Sequence, residues 1–443
     1  MKNYRTLLVI ILLTSLNNYG FAQKNKLFLA ESEKVKTIKA IGNIINENYI
    51  FPEVSDKIIH FINSKLMEGK YKLIKDPNEF ADILTSDIQS FNNDIHLRVL
   101  FEPERIAEEE ITISAEDSLK FEQKYIASLK KNNYYFKETK ILEGNIGYLD
   151  LRTFRDPKYA GETAISAMNF LSNSDAIIID LRNNGGGTPK MVQLIASYFF
   201  SNEVVLLNSV YKRKENITKQ FWTLPYVSGK RMPSVPLYIL TSGSTFSAAE
   251  EFCYDLQSLK RAVIIGETTG GGAHSGGRIK ATDKYNVWTP TGRSINPVTN
   301  TNWEGTGVEP HIKTSAQEAF LTAHIKALDS LRNGNEDINI KKYYEWHLQS
   351  LKAKKTPFKI DLSTLKEYTG NFGIRTIDIA DGKLYYQRKS SRKYTLTPIS
   401  EDTFMIDEKP HFRIQFLFEN NKVVAIKGLK EDGSSNKYKI DKE

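Results

Sequence analysis

A chain of 443 residues, at roughly 150 residues per domain, has room for about three domains. An apolar fraction of 40% and a charged fraction of 26% argue against disordered or fibrous classes, and 26 Gly with 14 Pro exclude a collagen-like or low-complexity chain. The net charge of +8 is spread along the chain without blocks of like charge, so no nucleic-acid partner is implied, and the single cysteine, Cys253, permits neither an intramolecular disulfide nor a zinc cluster.

Lys2 and Arg5 precede the apolar run Leu7–Leu13, and Gly20-Phe21-Ala22 supplies small residues at a cleavage site. Residues 1–22 therefore read as a signal peptide, with the mature chain starting near Gln23. The run is shorter than the roughly 20 residues a bilayer span requires, and no cysteine follows it to mark a lipoprotein. The alternative is an uncleaved anchor. No later segment is apolar enough to cross a membrane, so the expectation is an exported chain, periplasmic or extracellular, without stable membrane insertion.

Residues 23–100 read as a helical domain. Val35, Ile38, Ile41, Ile44 and Ile45 recur at helical spacing, Pro52 restarts the pattern, and Asp76-Pro77-Asn78 begins a third helix. After Leu97 the chain reads as strand-like stretches, separated by an acidic, polar passage around Glu108–Glu116. Within 101–350, the runs Ile146–Leu151, Ala176–Leu181, Val235–Leu240 and Ala262–Ile265 alternate with helical patterns at Met191–Phe200 and Ala248–Leu259. Buried strands interleaved with helices predict an α/β core, followed by helices to Leu351 broken near Asn333-Gly334. Residues 358–443, beyond the linker Lys352–Pro357, alternate with Asp381-Gly382 and Asn420-Asn421 turns and predict a small all-β module.

Three glycine-rich turns each follow a predicted strand. Asp180-Leu181-Arg182-Asn183-Asn184-Gly185-Gly186-Gly187 can present backbone N–H groups to an anion, either a phosphate or an oxyanion. It lacks the Walker-type ending and the helix entry that phosphate binding requires, and a plain tight turn is the competing reading. The second turn, Thr241 to Glu251, places Ser247 where a strand meets a helix. There the next N–H, that of Ala248, is free for an oxyanion, although a serine before a helix is more often only a cap. The third turn is Gly266-Glu267-Thr268-Thr269-Gly270-Gly271-Gly272.

In order, D-L-R-x-N-x-G-G, T-S-x-x-T-F-S-A-A-E, G-E-T-T-G-G-G and G-x-G-V-E-P resemble the tail-specific (C-terminal processing) serine peptidase family over about residues 30–330. The resemblance implies a crotonase-like α/β core, Ser247 as nucleophile, and an oxyanion hole from the backbone of Ala248 and Gly186. In one branch of the family a lysine ends the third motif and serves as base. Here that position is Gly272, and residues 101–144 leave no room for the PDZ domain of that branch.

The chain is instead similar to the branch containing the tricorn core and retinoid-binding-protein-like modules, where a histidine is the base and a late carboxylate supports it. Asn93-Asp94-Ile95-His96-Leu97 matches its D-x-H-L motif and implies His96. Trp303-Glu304 matches the carboxylate segment and implies Glu304, although Ile95 replaces the serine that links the two groups in tricorn relatives. His311 replaces the aspartate expected after G-V-E-P.

His274, two residues past the third turn, is the alternative base; His60, His324, His347 and His411 lie in helical or β patterns that suit surface or core roles. Tyr368 to Phe372, Gly382 to Tyr385 and Thr403-Phe404 resemble the lipocalin-like β domains appended to secreted hydrolases.

Together these readings imply an exported serine peptidase acting on a peptide or protein, needing neither metal nor organic cofactor. Its base would titrate near 6.5 if unperturbed. The alternative is a non-catalytic binding module for a hydrophobic ligand or peptide, which would be free to lose the Ser247–His96 pair. A crotonase-like acyl-CoA enzyme is disfavoured because export removes it from its cofactor pool. Substrate preference and oligomeric state are not encoded in any motif.

Overall fold

The computed structural model describes residues 28–91, 94–110, 115–356 and 358–441. The expected signal peptide lies outside the described residues.

Three helices open the chain: α1 (Glu31–Asn48), α2 (Pro52–Met67) and α3 (Pro77–Gln89). Pro52 and Pro77 sit in first turns, where a missing N–H costs nothing, and the Asp76 carboxylate caps α3 by accepting from Asn78 and Glu79 N–H. Ile38, Ile41 and Ile45 are fully buried, whereas Val35 is half exposed and Lys34 is buried in its place. The Lys34 stem packs inward while its ammonium donates to the Tyr71 and Lys72 carbonyls and pairs with Glu31.

The stretch after Leu97 holds a strand, β1 (Arg98–Phe101), but the polar passage beyond it is helical, with α4 (Pro103–Glu110) and α5 (Ala115–Lys131). These helices escape an apolar-periodicity reading because Leu119, Phe121 and Tyr125 are exposed, and the buried apolar residues are single ones, Ile106 on α4 and Leu129 on α5.

The core elements follow as β2 (Phe136–Leu142), β3 (Ile146–Leu151), α6 (Pro157–Leu171), β4 (Ala176–Asp180), α7 (Pro189–Ser197), β5 (Leu206–Lys212), β6 (Ile217–Trp222), β7 (Leu237–Thr241), α8 (Ala248–Ser258), β8 (Val263–Gly266), β9 (His274–Lys280), β10 (Tyr285–Ile295) and β11 (Ile312–Lys313). One sheet runs β11-β8-β7-β4-β3-β2, parallel except at β2. Every residue of β3, β4 and β7 is buried, as expected when helices cover both faces. Met168, Ile195, Phe252 and Leu256 fill one side; α9 (Ala316–Gly334) and α10 (Ile338–Lys355) cover the other with Ala323, Ala327, Leu328 and Leu348. Each of the larger of these side chains, the Met, Ile, Phe and Leu residues, contributes about 1.5–3 kcal/mol by leaving water.

A second sheet was not visible in the sequence pattern. It joins β1, β5, β6, β9 and β10 and packs on the N-terminal helices through Leu97, Val99, Tyr285 and Val287. Beyond α10, eight antiparallel strands between Gly370 and Lys439 pair in sequential order, and Asp441 N–H donates to the Asn371 carbonyl, drawing the last strand to the first. This barrel-like sheet docks on α10. Arg413 is buried with its guanidinium 3.8 Å from the Trp346 ring centroid, and Trp346 Nε1 donates to the Pro410 carbonyl.

Candidate active site

The three glycine-rich turns leave the carboxyl ends of the adjacent parallel strands β4, β7 and β8, the edge where open α/β sheets form their sites. Asn184 binds the first turn to the second: its carbonyl accepts from Phe246 N–H, while its amide donates to the Leu151 carbonyl. Thr245 Oγ1 donates to the Leu181 carbonyl and accepts from Ser242 N–H. With both neighbours held, Ser247 is left at φ 55° and ψ −123°, a strained conformation for a side-chain-bearing residue. It sits at the head of α8, where the helix dipole is positive.

Glu250 fastens this arrangement. Its Oε2 accepts from Ser247 N–H and Gly272 N–H, each at 2.8 Å, and Oε1 accepts from Gly271 N–H at 2.6 Å and the Thr269 hydroxyl at 2.5 Å. Burial pushes the Glu250 carboxyl up, and these four donors act against that shift. The sequence reading did not single out Glu250, yet the S-x-x-E spacing from Ser247 is a capping-box signal that could have.

Gly186 presses against Ser247. At φ 106°, a Cβ there would lie 2.8 Å from Ser247 Cβ and 3.0 Å from Ala248 N. The Gly186 N–H, however, donates to Asn184 Oδ1 at 2.9 Å, so it is engaged in this resting state.

His96 is buried between two aromatic rings, stacked on Trp288 with centroids 4.8 Å apart and tilted on Phe246 at 4.8 Å. Its Nδ1 is buried and has no hydrogen-bond partner among the described residues. Burial is the main cause that brings the imidazole down to about 4; Asp94 opposes the shift, and Arg98 and His274 add to it. Position 272 is adjacent: a Cβ there would lie 2.6 Å from His96 Cε1 and 2.5 Å from Phe246 Cε2.

His274 belongs to a neighbouring buried network. Its Nδ1 is 2.7 Å from Asp94 Oδ2, which also accepts from the Tyr49 hydroxyl at 3.0 Å, and 3.5 Å from Glu304 Oε2. Asp94 Oδ1 accepts from His96 N–H at 3.2 Å, so one carboxylate touches both histidine segments. Glu304 Oε2 accepts from Ala273 N–H and His274 N–H, and Oε1 is buried with no partner among the described residues. Burial, with the Asp94 charge next, raises the Glu304 carboxyl to about 7.

The structure thus sets Gly186 against Ser247 and Ala248, sets Gly272 and Phe246, the residue before Ser247, against His96, and sets Glu304 beside His274. Among the described residues no hydrogen bond joins the Ser247 hydroxyl to either histidine. Asp94, His274 and Glu304 also offer one metal-ligand atom each within 4.8 Å, but the Asp94–His274 contact already engages two of them. His311 Nδ1 accepts from Ile264 N–H and His324 Nε2 contacts the Glu143 carbonyl, while His60 and His411 are exposed.

A strained serine at a strand-to-helix junction, heading a helix above a parallel sheet, has the layout in which serine hydrolases hold a nucleophile. Residues 145–314 match peptidase family S41, and residues 23–134 match the N-terminal domain of peptidase S41 in eukaryotic IRBP. The chain belongs to peptidase family S41.

It is 22% identical over 217 residues to the carboxy-terminal processing protease CtpB of Bacillus subtilis, covering 48% of this chain and 43% of that protein. It is 27% identical over 184 residues to the carboxy-terminal-processing protease of Bartonella bacilliformis, covering 39% of each. The chain therefore spans about two fifths of the length of these curated relatives. A lipoprotein structure from Streptococcus agalactiae overlaps 67% of this chain and 96% of its own, at 16% identity and a TM-score of 0.45. No helix among the described residues is long and apolar enough to cross a membrane.

Proposed function

We propose that this chain is an exported serine peptidase that hydrolyses peptide bonds of a peptide or protein substrate on a crotonase-like core. Ser247 Oγ attacks the scissile carbonyl, and His96 takes its proton and later delivers it to the leaving amine. Water then releases the acyl group from Ser247. The oxyanion is received by the N–H of Ala248, at the positive end of α8, and by that of Gly186 once the forming charge draws it from Asn184 Oδ1. No metal or organic cofactor enters this scheme.

One observation carries the choice of base. His96 Cε1 lies 2.6 Å from where a side chain at Gly272 would begin, so the imidazole occupies the volume a lysine at that position would claim. Stacking on Trp288 and Phe246 orients the ring, in place of a carboxylate on Nδ1. Glu304 supports the site indirectly, by holding the Ala273–His274 backbone beside Asp94.

A fluorophosphonate probe should label Ser247 and lose its target in Ser247→Ala. Absence of labelling, or labelling at Ser242 or Ser244, would overturn the assignment and favour a binding module. Residues 1–22 are proposed as the signal peptide, 23–100 as the helical domain, 101–350 as the peptidase core and 358–443 as a lipocalin-like module. N-terminal sequencing of secreted protein should start near Gln23; retention of Met1 in a membrane fraction would show an anchor instead.

A further inference from the structure

An arginine close to the site has no acidic partner. Phe154, three residues beyond β3, bridges to the first glycine turn: its N–H donates to the Gly186 carbonyl and its carbonyl accepts from Thr188 N–H, each at 2.8 Å. Gly186 in turn touches Ser247. Arg155 follows Phe154 directly and is half-buried. Its Nε is buried, and among the described residues no hydrogen bond or carboxylate engages the guanidinium. Other half-buried arginines of this core are tied down, Arg182 by Asp180 and the Ala316 carbonyl, and Arg261 by the Phe199, Met232 and Val235 carbonyls.

The surroundings orient Arg155 without neutralising it. In the turn before β2, Asn133, Tyr134 and Tyr135 have φ of 45°, 51° and 70°, three successive side-chain-bearing residues in the left-handed region. Such residues avoid that region, and strain of this kind gathers at functional sites. The turn sets the Tyr135 ring under Arg155, 4.5 Å from ring centroid to guanidinium carbon. Stacking fixes the guanidinium plane and leaves its edge for a planar carboxylate. The carboxylates nearby are already taken: Asp156 accepts from Lys158 N–H and faces Lys190 at 3.9 Å, and Glu122 pairs with Lys158 at 2.6 Å. Thr188, beside the Phe154 carbonyl, does not cap α7 with its side chain, and its hydroxyl is buried with no partner among the described residues.

Resting on the peptidase reading above, we propose that Arg155 is a specificity subsite that binds the carboxylate of an acidic side chain in the substrate. Arg155 follows β3 and Ser247 follows β7, with β4 between them, so two strand steps of about 4.8 Å, or about 10 Å, separate them. An extended peptide rises about 3.3 Å per residue, which places the recognised Asp or Glu about three residues from the cleaved bond.

Calorimetric titration of the Ser247→Ala protein with C-terminally amidated β-casein peptides, each carrying one Glu at a different position and no other acid, reads the subsite without turnover. At one position Glu should bind about tenfold or more tighter than Gln, and in the wild-type enzyme the same position should raise kcat/KM and lie two to four residues from the cleaved bond. Arg155→Gln should bring the Glu-to-Gln ratio near one, and Arg155→Glu should turn the preference to Lys. The ratio within one protein cancels any general loss of folded material. No position favouring Glu, a ratio that survives Arg155→Gln, or a gain from a free C-terminal carboxylate but not from Glu would each overturn the proposal. Labelling of Ser247 by the fluorophosphonate, which offers no carboxylate, tests the peptidase reading separately.

Discussion

His96 and Gly272 share one space. The imidazole Cε1 stands 2.6 Å from the point where a Cβ on Gly272 would be, so a residue of the helical region and the end of the third glycine turn are sterically exclusive. The glycine at 272 is thus the counterpart of the histidine at 96.

Gly272→Ala should push His96 and Phe246 out of register. Overpacking of this kind costs about 1–3 kcal/mol, and the displaced base should lower turnover at least about a hundredfold. Thermal unfolding and peptide hydrolysis measure the two effects. Gly272→Ala combined with Phe246→Ala should recover stability, since the Phe246 ring is the other group in the way.

His96→Ala should reduce turnover by about a hundred- to ten-thousandfold, the usual worth of general base catalysis, with little change in folding. His274→Ala should cost much less, because its ring nitrogen is already engaged by Asp94. The opposite ranking in a side-by-side kinetic assay would move the base to His274.

The pH profile should reflect burial of His96. An unperturbed histidine would lose activity through about 6.5, whereas the buried ring, at about 4, stays neutral well below that. kcat/KM should hold down to about pH 5 and fall through pH 4. The same lowered value makes a stability contribution that is complete above the unfolded value of about 6.5 and is lost as pH falls from there through 4. His96→Ala should flatten that part of the stability curve in pH-dependent thermal unfolding.

Glu250→Ala should strip acceptors from three buried N–H groups and the Thr269 hydroxyl. At about 1–3 kcal/mol for each buried group left unpaired, the second and third turns should come apart. Fluorophosphonate labelling of Ser247 should drop with the melting temperature, and Glu250→Gln should restore only part of both.

A chain ending near Lys355 should stay folded and cleave short peptides, because every group placed around Ser247 lies before residue 310. It should melt lower than the full chain, since removal of Arg413 and Pro410 uncovers Trp346 on α10. Loss of activity in a folded truncated protein would show that the barrel-like sheet helps build the site.

Local chemistry made much of this molecule legible from residues alone. Short, mostly apolar runs marked β3, β4 and β7 because a strand buried on both faces need not alternate, and Asp76-Pro77 marked a helix start because a carboxylate there meets free N–H groups. The turns around Gly186, Ser247 and Gly272 were visible for the same reason: unusual backbone needs glycine or small residues close together in sequence. Helix α5 was not legible, since its apolar residues largely face solvent, nor was the second sheet, whose strands pair across 98–101, 206–222 and 274–295. Pairing over such separations depends on register between distant segments, which no local window contains. For that reason only the tertiary structure could set Glu304 beside His274 and run Asp94 between the two histidine segments.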